Sequence, residues 1–146
     1  MEVEIKIDGD YKVPKIVIYT DSVTEDIKAL AEKLSSENRQ VITAFKDNTV
    51  KILDPDEIIR IYSFAGRVAA VTERGEFFLR RRLYELEELL VSKKFVRISN
   101  SEIINLKWVK EFDLSASGTI CVSLTNLEVT YVSRRYVSKI KKILGI

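Results

Sequence analysis

The chain has 146 residues, 46% hydrophobic and 32% charged, with 24 Lys/Arg against 22 Asp/Glu and no histidine. That balance describes a soluble globular domain, or one domain with a small appendage; it excludes a disordered chain. Apolar runs such as Ile16-Val17-Ile18-Tyr19 are too short to span a bilayer, so no membrane insertion is expected.

Without histidine there is no Ser-His or Cys-His nucleophile pair and no His-ligated zinc. The single cysteine, Cys121, can form neither an intrachain disulfide nor a thiolate cluster, and sits in a strand-like run as a small buried apolar residue. Asp54, Asp56 and Glu57 flank Pro55 as a solvated turn rather than an acid/base dyad, and the five glycines form no phosphate-binding motif. The chain is therefore expected to be no enzyme, with no cofactor and no metal. Met1-Glu2-Val3-Glu4 has neither the basic start nor the apolar stretch of a secretory signal, which leads to the expectation of a cytoplasmic protein.

In chain order, Glu2–Ile7 alternates Val3, Ile5 and Ile7 with charged residues, predicting a half-buried strand, and Lys15–Thr20 a second, more apolar one. Ser22-Val23-Thr24-Glu25 has the form of a capping box, followed by Ile27, Leu30, Ala31 and Leu34 on one helical stripe. Residues 1–44 thus read as a small β-β-α unit, suited to dimerisation or regulation. From Gln40 short strands take over. Val41–Phe45 and Thr49–Leu53 flank a hairpin at Lys46-Asp47-Asn48; Ile58–Ser63, Val68–Thr72 and Phe77–Leu79 follow, the last two joined across Glu73-Arg74-Gly75. Leu83–Leu90 predicts a short helix. Strands recur at Phe95–Ile98, Lys107–Phe112, Thr119–Leu124 and Leu127–Thr130, and Arg134–Leu144 closes the chain as a helix capped by Ser133 and ended by Gly145. The expected class is mainly β with short helices (α+β), with a second domain over residues 45–146.

Charge is unevenly spread. Residues 1–57 hold 8 Lys/Arg and 13 Asp/Glu, a net −5; residues 58–146 hold 16 and 9, a net +7. Such a division suggests a C-terminal part that faces a polyanion. Three places break local rules. Arg134 and Arg135 occupy the first turn of the last helix, where its dipole disfavours cations, unless an anion or a nearby Glu offsets them. Arg80-Arg81-Arg82 precedes the Leu83–Leu90 helix and can serve phosphates or pair with Glu85, Glu87 and Glu88. Ser99-Asn100-Ser101 follows a strand; an exposed Asn can read adenine, and equally such a tripeptide is an ordinary polar turn.

The run Phe95-Val96-Arg97-Ile98-Ser99-Asn100-Ser101-Glu102-Ile103-Ile104-Asn105-Leu106-Lys107-Trp108 resembles the central motif of LytTR-type DNA-binding domains, in which an aromatic strand leads to a His-Arg-Ser-like or His-Asn-Ser-like tripeptide, an apolar pair and Asn. Leu79–Glu88 is similar to the strand and short helix before that motif, and Ser133–Ile140 to the closing one, so the resemblance covers about residues 45–144. It implies a β fold that offers loops to successive major grooves of duplex DNA. By the same resemblance, contacts fall at Gly66-Arg67, at Ser99-Asn100-Ser101 and at Arg135. Ser99 departs from the family's usual histidine, and residues 1–44 are too short for a phosphoacceptor receiver domain.

The expected function is a sequence-specific transcription regulator, response-regulator-like but stand-alone and bacterial. Asn100 and Arg135 read base edges with Arg67 in support, while Arg97, Lys107, Arg134 and Ser101 hold phosphates. Its partners are double-stranded DNA, a second copy in a homodimer and a regulatory protein. The alternative is an adaptor whose basic face meets an acidic protein. RNA binding ranks third, because Phe77, Phe78, Phe95 and Trp108 read mainly as core.

Overall fold

The computed structural model describes residues 1–35, 41–90 and 94–146. The chain divides into two compact units, Met1–Asn38 and Arg39–Ile146. In the first, α1 (Glu25–Ser35) is the only regular element among the described residues. Its cap is Thr24, whose Oγ1 accepts from the Ile27 N–H at 3.3 Å; Ser22, the predicted cap, instead turns back toward Thr20. The two strands expected at Glu2–Ile7 and Lys15–Thr20 do not form. Val3, Ile5 and Ile7 are 83–99% exposed, and an isolated two-stranded hairpin gains too little burial to stand alone.

The second unit opens with β1 (Ile42–Lys46), which the expected 44/45 boundary would have cut. It pairs with β2 (Thr49–Leu53) across Asp47-Asn48. A 3₁₀ turn at Pro55–Glu57 carries the full capping box of Asp54 and Glu57, so these carboxylates close a turn, with Glu57 also paired to Arg74. β3 (Arg60–Phe64), β4 (Arg67–Thr72) and β5 (Gly75–Leu79) form a meander, α2 (Leu83–Leu89) follows, and β6 (Phe95–Ser99) and β7 (Glu102–Asn105) make a hairpin. β8 (Val109–Asp113), β9 (Ile120–Leu124) and β10 (Val129–Val132) lead into α3 (Arg134–Leu144). Among the described residues every strand pair is antiparallel: seven strands lie in the order β2-β1-β5-β4-β3-β7-β6, and three in the order β10-β9-β8.

Two cores hold these sheets. Leu53, Ile58, Ile61, Phe77, Leu86 and Ile103 belong to the first, under α2; Ile59, Ile98, Ile104, Val122, Leu124 and Ile140 belong to the second, with the small sheet and α3. Ile58-Ile59 and Ile103-Ile104 each send consecutive side chains to opposite cores, the period of a strand buried on both faces. That double burial explains why the sequence hides β7: all four of its residues are buried, so no polar alternation marks it. Asn105 closes the strand from inside, its Nδ2 donating to the Ile58 carbonyl at 2.9 Å and its Oδ1 accepting from the Lys107 N–H at 3.0 Å. Cys121 is half-buried rather than buried. No helix among the described residues is long and apolar enough to cross a membrane.

A polar network joins the sheets. Arg60 on β3 pairs with Glu102 at 3.2 Å and with Glu128 at 2.5 Å, while the Thr130 hydroxyl on β10 reaches both Glu102 oxygens at 2.7 and 2.9 Å. Burial holds the Glu102 carboxyl above its ordinary 4.5, against the opposing pull of Thr130 and Arg60. The folded chain then keeps a proton that the unfolded chain has already released, so this group's contribution to stability falls as pH rises above 4.5. Urea unfolding of the parent and of Glu102→Gln across the acid-to-neutral range should show the parent losing ground to the variant as pH rises; a pH-independent difference would remove Glu102 as the titrating group.

Candidate nucleic-acid interface

The β6–β7 hairpin turns at Asn100-Ser101, so the tripeptide Ser99-Asn100-Ser101 forms its tip. The tip is held from beneath. Arg97 donates from Nε to the Ser99 carbonyl and from Nη2 to the Asn100 carbonyl, both at 2.6 Å, and from Nη1 to Glu87 at 2.9 Å. Its side chain is only 11% exposed. Glu87 on α2 also meets Lys139 on α3 at 3.4 Å, so one carboxylate ties the hairpin to two helices. Ser99 Oγ accepts from the Ser101 N–H at 3.2 Å, which tightens the turn.

Neighbouring elements bring other residues to the same end. The Ser101 carbonyl accepts from the Ser63 N–H at 2.8 Å, and Phe64 pairs with Arg67 across Ala65-Gly66. Ala65 and Gly66 have φ of 51° and 77°, the left-handed corners that a tight type I′ hairpin turn needs. The two hairpin tips, with Arg67 and Asn100, therefore lie side by side. β10 ends at Val132, the Ser133 N–H donates to the Ile98 carbonyl at 2.9 Å, and α3 starts there. The Tyr136 hydroxyl in its first turn reaches Asn100 Oδ1 at 3.3 Å. Ser133 occupies the predicted cap position, but its hydroxyl makes no cap bond. Arg134 lies against Gly118, where an added Cβ would come within 3.3 Å of its Nε; that glycine, at φ 76°, gives the side chain room.

Arg67, Asn100, Ser101, Arg134 and Arg135 are all exposed, and Ser99 is half-buried. Among the described residues none of these arginines makes an ion pair, so the glutamate partner considered for the Arg134–Arg135 pair is not found. Two expected contacts change character. Arg97 is not free for a phosphate, because its guanidinium is taken up by the turn and Glu87. Lys107 stands beyond the far end of β7, with Nζ 3.9 Å from Asp56, beside a groove shared with Glu57, Glu73 and Arg74. β7 runs away from the tip, which is why six residues of sequence separate Lys107 from Ser101 by the length of a strand. Of the aromatic residues read as core, Phe77 is buried, Phe95 and Trp108 are half-buried, and Phe78 is 45% exposed: consecutive strand residues cannot both point inward. Sequence reasoning missed Tyr136 and set Glu87 against the arginine triplet, whereas it pairs with Arg97 and Lys139; both roles arise only from contacts across distant segments.

These features define a β framework that presents loops and unpaired arginines at one end. α2 and α3 are separated by five strands, so this unit has no pair of consecutive helices among its described residues. The family model described as the LytTr DNA-binding domain matches residues 48–145, and the chain belongs to that family. A solved LytTr DNA-binding domain from Bacillus cereus has a TM-score of 0.70 at 24% identity, covering 73% of this chain and 97% of that one; it shows the same fold. An uncharacterized HTH-type transcriptional regulator of Staphylococcus aureus strain NCTC 8325 / PS 47 is 28% identical over 147 residues, or 100% of this chain and 99% of its own. A second such regulator, from strain MSSA476, is 31% identical over 137 residues, 94% of this chain and 88% of its own.

Lysine cannot reproduce a planar fork that serves two carbonyls and a carboxylate. Arg97→Lys should lower the unfolding free energy by about 2 kcal/mol, measured by urea titration, and should broaden the amide signals of Ser99–Ser101; an unchanged midpoint would show that Arg97 does not hold the tip.

Proposed function

We propose that the chain is a sequence-specific transcription regulator that binds duplex DNA with its loop tips in successive major grooves. The observation that supports this most directly is the Tyr136–Asn100 hydrogen bond, which couples the hairpin tip to the start of α3. Asn100 and Arg135 then act from one end of a rigid framework, with Arg67 beside them on the adjacent tip. The Asn100 amide nitrogen has no protein partner among the described residues and can complete a bidentate pair on adenine, while a guanidinium suits guanine. Arg134 and Ser101 hold phosphates and set the register; Ser99 offers a hydroxyl where the family usually has histidine. Arg97 positions the tip, and Lys107 has no part in the contact. The S. aureus relatives, named as transcriptional regulators, support the regulatory assignment.

The N-terminal unit is the regulatory part of this reading. It joins an amphipathic α1 to exposed apolar residues such as Val3, Ile5 and Tyr19, a surface suited to a second copy or to a regulatory protein. The protein works in the cytoplasm, where its DNA lies. No second molecular function is favoured by a specific observation.

Two measurements test the proposal. Arg135→Ala and Asn100→Ala should each reduce affinity for a duplex recovered by selection from a random pool by about 1–3 kcal/mol, with the unfolding midpoint unchanged; equal gel-shift affinity for variant and parent would refute the base-reading role. Analytical ultracentrifugation should give a dimer for the full chain and a monomer for a chain starting at Gln40, and equal association states would remove the N-terminal unit as the dimer contact.

A further inference from the structure

Extending the Val68↔Leu79 pairing by one residue sets Arg80 opposite Arg67, at the same end of the sheet as the hairpin tips. Both arginines are exposed, and neither makes an ion pair among the described residues. The carboxylates considered for the arginine triplet leave Arg80 alone; only Arg81 approaches one, Glu85, at 4.0 Å. Arg80 instead lies over the Phe45 ring at 4.2 Å, and Arg67 over the Phe78 ring at 5.2 Å. On this face each of the two opposed arginines is thus set diagonally against a ring of the next strand, with Phe64, which is 76% exposed, on one side and Phe45 on the other.

This arrangement has a consistent physical sense. Stacking on a ring orders a guanidinium and leaves its in-plane N–H groups pointing outward, the geometry that suits a phosphate. A carboxylate would order it equally well but would cancel its charge. Like charges directly opposite on neighbouring strands destabilise the free protein, and that cost is offset when a polyanion lies across both. Phe78 and Phe45 each already give one face to an arginine, which leaves them less available to stack a nucleobase.

We infer that Arg80 is a further phosphate contact, and that the face it shares with Arg67 carries the interface past the base pairs reached by the tips onto the flanking DNA backbone. The inference rests on the duplex-binding reading above. It is independent of which bases Asn100 and Arg135 read.

Salt titration of the full chain tests it, using a labelled mixed-sequence duplex and a duplex recovered by selection. For Arg80→Ala the slope of log affinity against log salt should become shallower by about 0.9, with the same fold-loss on both duplexes and an unchanged unfolding midpoint. Arg80→Lys should keep the parent's slope, because the charge remains. Unchanged slope and affinity in Arg80→Ala, while the parent binds duplex and Arg135→Ala loses discrimination, would overturn the inference and leave the main reading standing. A loss confined to the selected duplex would also overturn it, since Arg80 would then be reading bases, as would a preference for single strands abolished by Arg80→Ala. A parent with no salt-sensitive duplex affinity would sink both.

Discussion

The Ser99-Asn100-Ser101 tip depends on one guanidinium that is not itself at the surface. Arg97 satisfies the carbonyls of Ser99 and Asn100 and is balanced by Glu87, so both peptide planes of the turn are held by a single planar group. The orientation of those planes determines where the Asn100 side chain emerges. A short polar turn without that support would sample several conformations and would lose their entropy on binding. Here the ordering is completed during folding, and Glu87 passes the constraint to α2 and, through Lys139, to α3.

The framework behind the tip is stiff for a related reason. Ile58-Ile59 and Ile103-Ile104 stitch two cores together, so β7 cannot shift without disturbing both. Asn105 and the Arg60–Glu102–Glu128–Thr130 network add polar ties at the same seam. Loops of this kind can do accurate work because their roots are immobile. The hairpin tips and the start of α3 are three separate pieces of chain, yet hydrogen bonds from Ser63 and Ser133 set them side by side.

Electrostatics divides the second unit along its strands. One end carries Arg67, Arg80, Arg134 and Arg135, none with a carboxylate partner among the described residues, while the other gathers Asp54, Asp56, Glu57 and Glu73 around a groove, where Arg74 and Lys107 are paired. Such a separation orients the molecule in the field of a polyanion and keeps the wrong end away from it. At the basic end, aromatic rings perform the ordering that acidic residues would otherwise supply, so Arg67 and Arg80 are positioned without being neutralised.

Most of the strands, the three helices and the hairpin at Asp47-Asn48 were legible in the amino-acid order, because each is written in a local period, a cap or a turn residue that acts over a few neighbours. The family was legible for the same reason, since Phe95–Trp108 and Ser133–Ile140 are contiguous signatures. What local patterning misjudged was burial by distant chain. Glu2–Ile7 alternates like a strand and forms none, having no ladder to join, whereas Glu102–Asn105 lacks alternation and is a strand because cores press on both of its faces. The candidate site divides in the same way. Asn100, Arg67 and Arg135 were expected from residue type, position and resemblance and are exposed, whereas Arg97 and Lys107 have the same chemistry as Arg67 and different fates. Packing turned one beneath the turn and left the other a strand's length away, and such outcomes depend on contacts between residues far apart in sequence, which only the folded chain brings into being.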